Sequence, residues 1–253
     1  MLTLTTDFGT KAPYVAEMKG SIYQINPNID IVDVTHEVSR HNIFEASFVM
    51  NEVKKWFPTS VHVCVVDPGV GSGRNALIVK DGEQYFVGPD NGVFSLFDPD
   101  KIYEVNEKDL KKILGREISH TFHGRDVFAP VGAFLEIGYD PNKFSSPTDQ
   151  FKKLDLKPEK DGKKIQAKVI FVDDFGNIIT NIKEFDEPSE IIFKPEEGEE
   201  RKLRFMKTYS DVDASGLMSL RGSHGFLEIS INQGNASKVL DVNTGDDVIV
   251  EFL

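Results

Sequence analysis

An aspartate and an arginine stand seven residues apart in one glycine-rich loop, Asp67-Pro68-Gly69-Val70-Gly71-Ser72-Gly73-Arg74. The loop follows a mostly apolar run, residues 61–66, that predicts a buried strand. Its three glycines leave backbone that a ligand can approach closely. A carboxylate and a guanidinium at the carboxyl end of a strand lie where α/β sheets hold their reactive groups. The loop is therefore the first candidate for an active site.

Two other loops have a similar character. Thr6-Asp7-Phe8-Gly9 follows the first predicted strand, and His123-Gly124-Arg125-Asp126 precedes an apolar helix predicted for residues 126–137. Asp7 could accept the two hydroxyls of a ribose, or it could simply cap a helix or form an Asx turn. Three such loops suggest one active site that is assembled from strand ends.

Asp67, Arg74 and His123 together could handle a proton. A guanidinium beside Asp67 would hold that carboxylate ionised, and a histidine can accept or relay a proton near neutral pH. The structural alternative is an ion pair that braces the loop, next to a histidine with no role in chemistry. The residue types alone leave both interpretations open.

Other kinds of site are less well supported. His120 and His123 have H-x-x-H spacing and, with Asp7, Asp67 and Asp126, could be metal ligands, but this spacing is a weak signal. The glycines from Gly69 onward do not complete a dinucleotide fingerprint, because residue 74 is an arginine and no helix is predicted to follow. The chain also lacks a P-loop motif.

The elements that must position these loops alternate between strand and helix patterns. Strands are predicted for residues 2–6, 29–34 and 61–66. Helices are predicted for residues 13–25 and from Asn42, as the cap, to Pro58. This alternation favours a parallel sheet covered by helices. Residues 84–87 pair with residues 76–80 in a predicted hairpin.

The second half of the chain has a different pattern. Residues 141–164 contain three prolines and seven lysines and no long apolar run, so we predict a linker there. An α/β domain over residues 1–140 precedes it. Short strands dominate residues 165–253, which favours a small barrel or sandwich. Its turns combine aromatic and amide side chains that suit a purine nucleoside: Asp173–Asn177, Ser223–Phe226 and Asn232–Asn235.

Composition narrows the possible partners. The chain has 29 Lys and Arg residues against 41 Asp and Glu residues, a net charge of −12. This argues against a nucleic-acid backbone as the main partner, which needs a basic face. A single cysteine, Cys64, excludes an internal disulfide. We predict no membrane span and no signal peptide, and therefore a cytoplasmic protein.

Five short motifs occur in the order found in one family. They are Thr5-Thr6-Asp7-Phe8-Gly9, Val66-Asp67-Pro68-Gly69-Val70-Gly71, Gly88-Pro89-Asp90-Asn91-Gly92, His123-Gly124-Arg125-Asp126 and Asp174-Phe175-Gly176-Asn177. In these motifs the chain resembles the S-adenosylmethionine (SAM) hydrolases, also called SAM hydroxide adenosyltransferases. These enzymes are relatives of the SAM-dependent fluorinases and chlorinases. The resemblance extends over essentially the whole chain.

The resemblance implies a fold and a reaction. The fold is an α/β N-terminal domain with a mainly parallel central sheet, followed by a smaller C-terminal β-barrel. The reaction is attack of water or hydroxide on C5′ of SAM, which yields adenosine and L-methionine with no cofactor and no metal. The resemblance also implies a homotrimer whose active site lies at the subunit interface.

It further implies roles for particular residues. Asp67, Arg74 and His123 match the set that handles the water, and which of Asp67 and His123 accepts the proton stays open. The residues matched to substrate binding are Asp7 at the ribose hydroxyls, Phe122 in the pocket, Phe175 and Asn177 at the nucleoside, Ser223 near the methionine end, and Asn232.

One departure bears on the type of reaction. The halogenases have a tyrosine at the position of Asp67, and an ionised aspartate would repel a halide. Halogenation is therefore disfavoured. Two alternatives to SAM hydrolysis are kept: a metal-dependent hydrolase that uses His120, His123 and the aspartates, and a non-catalytic adenosine or SAM binding protein.

Overall fold

The computed structural model describes all 253 residues, and the chain divides into two compact units. Unit 1 comprises Met1–Leu154 and unit 2 comprises Asp155–Leu253. Unit 1 combines a sheet with helices, and unit 2 is mostly β. The predicted combination of an α/β part and a C-terminal barrel is therefore confirmed. None of the helices has both the length and the apolar character needed to cross a membrane.

The sheet of unit 1 has seven strands. They are β1 (Leu2–Thr6), β2 (Ile31–Thr35), β3 (Val61–Val65), β4 (Ala76–Asp81), β5 (Gln84–Pro89), β6 (Lys101–Val105) and β7 (Ser145–Thr148). Their order across the sheet is β2-β1-β3-β5-β4-β6-β7. The first four strands in this order pair in parallel, and the remaining pairs are antiparallel. The antiparallel part begins at the predicted hairpin, where Asp81 pairs with Gln84.

Helices cover the sheet. They are α1 (Tyr14–Ile25), α2 (Ile43–Val53), α3 (Glu107–Leu114), a π-helix (Gly124–Phe128) and α4 (Ala129–Glu136). The predicted cap of α2 is confirmed, since the Asn42 side chain accepts a hydrogen bond from the Glu45 backbone N–H. Strand β7 and the 3₁₀ turn before it (Pro141–Lys143) lie within residues 141–164.

Strand β3 is buried on both faces, as its nearly continuous apolar sequence requires. Val61, Val63 and Val65 belong to a core cluster that includes residues of α1 and α4. Cys64 and Val66, two residues apart, belong to a second cluster that includes residues of α2. This period of two is the pleat of a strand between two helical layers. Asp67 therefore lies just beyond the carboxyl end of a fully buried strand.

Unit 2 is a closed barrel of seven strands. They are β9 (Lys164–Val172), β10 (Ile178–Thr180), β11 (Glu190–Pro195), β12 (Arg201–Met206), β13 (Leu217–Arg221), β14 (Leu227–Ile231) and β15 (Asp247–Phe252). Pairing of β10 with β9 closes the ring, and a short strand, β8 (Glu159–Asp161), pairs antiparallel with the first residues of β9. One short helix, α5 (Ala236–Leu240), packs on β14. Closure leaves the barrel without open edges.

Candidate active site

The glycine-rich loop after β3 curls so that its two charged ends meet. Val70 donates its backbone N–H to the Asp67 carbonyl, and Ser72 donates to the Gly69 carbonyl. The Ser72 hydroxyl then accepts the Arg74 backbone N–H. Gly71 has φ +75° and lies so close to the His120 carbonyl oxygen that a Cβ atom would stand 2.7 Å from it. Only glycine fits there, so the curl depends on the composition of the loop.

The Asp67–Arg74 pair is almost enclosed. The Arg74 Nε donates to Asp67 Oδ1 at 3.0 Å and to Oδ2 at 3.1 Å, and Nη2 also donates to Oδ2. Only 5% of either side chain is exposed. The Arg74 guanidinium carbon lies 5.0 Å from the centroid of the Phe128 ring. A buried pair of this kind is stabilised only while both partners are present.

His123 completes the cluster through its Nδ1 atom. Arg74 Nη2 lies 3.0 Å from His123 Nδ1. An arginine always donates, so Nδ1 must accept, and the proton of the neutral imidazole is on Nε2. Burial first, and the Arg74 charge second, lower the pKa of His123 below its ordinary value of 6.5. The Nε2 atom is buried and has no hydrogen-bond partner in the protein.

Local helix geometry explains where His123 stands. It caps the π-helix Gly124–Phe128, which continues directly into α4. The sequence predicted one regular helix from residue 126. Pro130 has no N–H to donate to the carbonyl four residues earlier, so the series of regular α-helical hydrogen bonds is interrupted at this position. The backbone instead widens by one residue, a feature that is frequent at functional sites.

The cluster borders a cavity of about 490 Å³ in unit 1, a size usual for small-molecule sites. The cavity is lined by Phe8, Tyr14, Glu17, Val65, Asp67, Val70, Ser119, Thr121, Phe122, His123, Gly124 and Arg125. Asp67 and His123 are thus brought to one cavity, together with the predicted pocket aromatic Phe122. Arg74 reaches it only through the two residues that it contacts.

One wall of this cavity is aromatic and the next is charged. Phe8, Tyr14 and Phe122 contact one another edge to face, with ring centroids 5.3–5.8 Å apart. The Arg125 guanidinium carbon lies 5.2 Å from the Phe122 ring centroid, and Arg125 Nη1 donates to Glu17 Oε2 at 2.9 Å. This wall gives apolar surface together with a neutralised charge pair.

Asp7 lies on the neighbouring loop, directly after β1. Its carboxylate is nearly buried, and Oδ2 accepts the backbone N–H of His41 at 2.9 Å. His41 adopts φ +65°, a conformation that is unusual outside glycine. Asp7 itself does not line the cavity, but the next residue, Phe8, does. The predicted contact of Asp7 with ribose hydroxyls stays a prediction.

The residues considered as metal ligands do not form a cluster. The side chain of Asp126 is engaged by Arg125, and His120 is exposed. No group of three or more His, Cys, Asp or Glu residues in the chain is arranged to hold a metal ion.

A second cavity, of about 510 Å³, lies in unit 2. It is lined by Asp173, Phe175, Asn177, Tyr209, Ile231, Asn232, Gln233 and Gly234. Phe175, Asn177 and Asn232 were predicted to bind substrate, and the structure brings all three to this cavity. Ser223 lies in an exposed loop and does not line it.

A single carboxylate folds the loop that carries Phe175 and Asn177. Asp173 Oδ1 accepts the backbone N–H groups of Phe175 at 3.0 Å and Asn177 at 2.8 Å, and Oδ2 accepts the Asn177 amide. Gly176 between them has φ +83°, and a Cβ there would stand 2.1 Å from Asn235. The turn therefore presents the Phe175 ring, which is 77% exposed.

Tyr209 is a lining residue that the sequence analysis missed. It lies in a 3₁₀ turn (Tyr209–Asp211) after β12, and its hydroxyl donates to Glu228 Oε1 at 2.7 Å. Asn232 donates its amide to the Val212 carbonyl at 2.8 Å, which ties the segment after this turn to β14. No short motif in the sequence links Tyr209 to Phe175, so only the fold reveals that they share a cavity.

Comparison with known proteins identifies the family. The family model of the SAM hydroxide adenosyltransferase N-terminal domain matches residues 2–145, and that of the C-terminal domain matches residues 167–249. The chain therefore belongs to the SAM hydroxide adenosyltransferase family, which confirms the resemblance seen in the sequence.

Individual relatives match the chain from end to end. A protein of Methanocaldococcus jannaschii named (R)-S-adenosyl-L-methionine hydrolase is 38% identical over 276 residues, covering 100% of this chain and 96% of that protein. A protein of the same name from Salinispora arenicola is 33% identical, covering 98% and 97%. The crystal structure of an uncharacterized conserved protein from Thermotoga maritima matches with a TM-score of 0.89 at 36% identity, covering 99% of both chains.

Proposed function

We propose that this protein hydrolyses SAM to adenosine and L-methionine by attack of water on C5′. The observation that carries the proposal is the buried cluster of Asp67, Arg74 and His123 beside a cavity of suitable size. The sulfonium of SAM leaves as a neutral thioether, so the leaving group needs no acid. What the enzyme must supply is a positioned water that can lose a proton.

Asp67 is the proton acceptor in this proposal. The lone pair of His123 Nδ1 faces the Arg74 guanidinium, so it is not available to a water. His123 instead offers its Nε2–H as a donor that orients the water oxygen, since this atom has no partner in the protein. Arg74 holds both groups from behind, and its charge stabilises the hydroxide character that the water oxygen gains as its proton moves to Asp67.

The atoms balance without any further reactant. The water oxygen forms a bond to C5′ while the C5′–S bond breaks, and its electron pair stays on sulfur. One water proton moves to Asp67 and is later released to solvent. General-base assistance of this kind contributes about 10²–10⁴-fold, and alignment of the water with the C5′–S bond adds to it.

The nucleoside end of SAM is assigned to the unit 2 cavity. Phe175 and Tyr209 offer aromatic surface for a purine, and Asn177 and Asn232 offer amide groups. Asp7 takes the ribose hydroxyls, Phe122 contacts the region around C5′, and Ser223 lies toward the methionine end. We further propose a cytoplasmic homotrimer whose active site lies at the subunit interface, with no metal or cofactor and no nucleic-acid or membrane partner.

The direct test is to incubate the protein with SAM in ¹⁸O-labelled water and analyse the products by liquid chromatography and mass spectrometry. We expect equal amounts of adenosine and L-methionine, with the label in the 5′-hydroxyl of adenosine. Bound but unchanged SAM would instead favour a non-catalytic binding protein.

Two controls distinguish this reaction from metal-dependent hydrolysis and from halogenation. Exhaustive EDTA treatment should leave the rate unchanged, and loss of activity that divalent metal restores would favour the metal-dependent hydrolase. Added chloride should yield no 5′-chloro-5′-deoxyadenosine, because the ionised Asp67 repels a halide. Sedimentation of the untreated protein measures whether it is a trimer.

A further inference from the structure

Glu228 is a carboxylate buried inside unit 2 that holds three hydrogen-bond donors. It is only 3% exposed. Its Oε1 accepts from the Tyr209 hydroxyl and from the Ser230 hydroxyl, each at 2.7 Å, and its Oε2 accepts from His224 Nε2 at 3.2 Å. A buried charge with this many partners is costly to disturb, so its partners are held firmly.

The directions of these bonds are fixed by the rest of the network. The Phe226 backbone N–H donates to His224 Nδ1 at 3.2 Å, so the proton of the neutral ring is on Nε2 and points at Glu228. Burial raises the pKa of Glu228, but the bonds from His224, Tyr209 and Ser230 outweigh it and lower the pKa below 4.5. Glu228 is therefore ionised near neutral pH.

The backbone at Gly222 packs closely against this network. A Cβ on Gly222 would stand 2.3 Å from the His224 ring and 2.6 Å from Glu228 Oε2. The loop between β13 and β14 thus closes tightly over the carboxylate. Of the three donors, only Tyr209 also lines the unit 2 cavity.

The hydrogen bond to Glu228 is what fixes the orientation of the Tyr209 ring. Tyr209 starts a single 3₁₀ turn, and the capping box of that turn, Thr208 with Asp211, fixes the backbone but not the ring. The residue is 42% exposed, so packing alone does not hold the ring. Burial first, and the bond to Glu228 second, raise the pKa of Tyr209 above its ordinary value. Its hydroxyl therefore stays a donor to Glu228.

We propose that Glu228 is a positioning residue that holds the Tyr209 ring in place as a wall of the nucleoside cavity without touching the nucleoside itself. The proposal rests on the proposed function, because it takes adenosine as the occupant of that cavity. A ring already fixed before binding loses less rotational freedom when the ligand arrives, and so binds it more tightly.

The test compares three single variants of the full-length protein: Tyr209→Phe, Glu228→Leu, which removes both acceptor oxygens at similar volume, and Ser230→Ala. Ser230→Ala is the matched control, because it removes a bond of the same length to the same Oε1 atom from a residue that does not line the cavity. Calorimetry measures the Kd for adenosine, and steady-state hydrolysis of SAM gives kcat and KM.

We expect Tyr209→Phe and Glu228→Leu each to weaken adenosine binding about three- to tenfold and to raise KM for SAM by a similar factor. The double variant should bind adenosine no more weakly than the more affected of the two single variants, since both changes break the same bond. The kcat value should stay within about twofold of wild type. Ser230→Ala should lower Tm slightly and leave Kd unchanged.

The opposing results are distinct. If wild type binds adenosine and Tyr209→Phe binds it equally well, or if Ser230→Ala weakens binding as much as Tyr209→Phe, this inference is wrong and the proposed function stands. If wild type does not bind adenosine at all, the assignment of the cavity in the proposed function falls, and this inference falls with it. Tyr209→Phe decides the matter even if Glu228→Leu fails to fold.

Discussion

The two cavities of this protein are almost equal in size and built from opposite materials. The cavity in unit 1 is bordered by an enclosed ion pair and a histidine, all held by glycine-rich backbone. The cavity in unit 2 is bordered mainly by aromatic rings and amides. Of its two supporting carboxylates, Asp173 lines the cavity but is bonded to the turn that carries Phe175 and Asn177, and Glu228 lies behind Tyr209. Charged groups that line a cavity suit a reaction, whereas flat apolar rings together with amides suit recognition of a purine base.

This difference implies a division of labour. Changes at Asp67, Arg74 or His123 should act on kcat, because these groups matter most when charge develops during attack. Changes at Phe175 or Tyr209 should act on substrate affinity, because stacking is present before and after the reaction. This division would be contradicted if a substitution in the unit 1 cavity changed mainly the substrate affinity, or if one in the unit 2 cavity changed mainly kcat.

The largest effect is expected from Asp67→Asn. The amide cannot accept a proton, so kcat should fall by about 10²–10⁴-fold. The Kd for SAM should change by less than about threefold, because the water and not the substrate contacts this residue. Rapid-mixing kinetics and calorimetry measure the two values, with the exposed Asp149→Asn as control. A variant that turns over at the wild-type rate would remove Asp67 from the mechanism.

Phe175→Ala should give the converse pattern. Loss of one stacking ring costs about 1–3 kcal/mol per base, so Kd for SAM should rise about 10- to 100-fold while kcat at saturation stays within a few-fold. Trp56→Ala is the control, since Trp56 is 79% exposed and lines neither cavity. Unchanged affinity in Phe175→Ala would contradict the assignment of the base to unit 2.

Acid should weaken unit 1 at a higher pH than unit 2. In unit 1, burial lowers the pKa of His62 on β3 from 6.5 to about 4, and its neutral ring is bonded to Thr3 and Gln84. The unfolded chain protonates His62 more readily than the folded chain does. The part of the unfolding free energy that depends on neutral His62 is therefore complete above pH 6.5 and is lost as pH falls toward 4. Glu228 in unit 2 has a lowered pKa instead, so its contribution is lost only below pH 4.5.

Urea unfolding at pH 7 and pH 5 measures this effect. Wild type should lose about 2 kcal/mol more of its unfolding free energy than His62→Gln does over this interval. His123 is present in both proteins, so its titration cancels in the difference. Equal losses in the two proteins would show that His62 does not carry the acid sensitivity of unit 1.

The smallest expected effect is on the pH profile of hydrolysis. In the proposed mechanism His123 is a neutral donor, and its pKa is lowered from the ordinary value, so kcat/KM should change by less than about twofold between pH 7.5 and pH 6. A histidine that served as the base with an ordinary pKa would lower the rate about fourfold over the same interval. Such a fall would assign the proton to His123 and not to Asp67.

Part of the fold and of the site was predictable from the sequence because it depends on local signals. The apolar run of β3 ending in Asp67, the glycines that follow and the Asn42 cap are each encoded within a few residues. The positions of Phe175 and Asn177 likewise follow from one short turn motif. The order in which these motifs occur then gave the resemblance to the family.

The rest depends on contacts between distant segments, which no local pattern encodes. Tyr209 and Glu228 are nineteen residues apart and meet only because β13 and β14 pair beside the turn. The tautomer of His123 depends on the fold of the glycine-rich loop, which places the Arg74 guanidinium against His123 Nδ1. The π-helix before α4 was not predicted either, although Pro130 is a visible signal for such a disruption.

A crystal structure of the protein with a SAM analogue in which carbon replaces the sulfonium sulfur would show directly whether a water is placed for attack on C5′. We expect an ordered water within hydrogen-bond distance of Asp67 and His123 Nε2, on the side of C5′ opposite the replaced sulfur. We also expect the adenine to lie against Phe175. A C5′ atom remote from the Asp67–Arg74–His123 cluster, or a metal ion in the place of the water, would contradict the proposed mechanism.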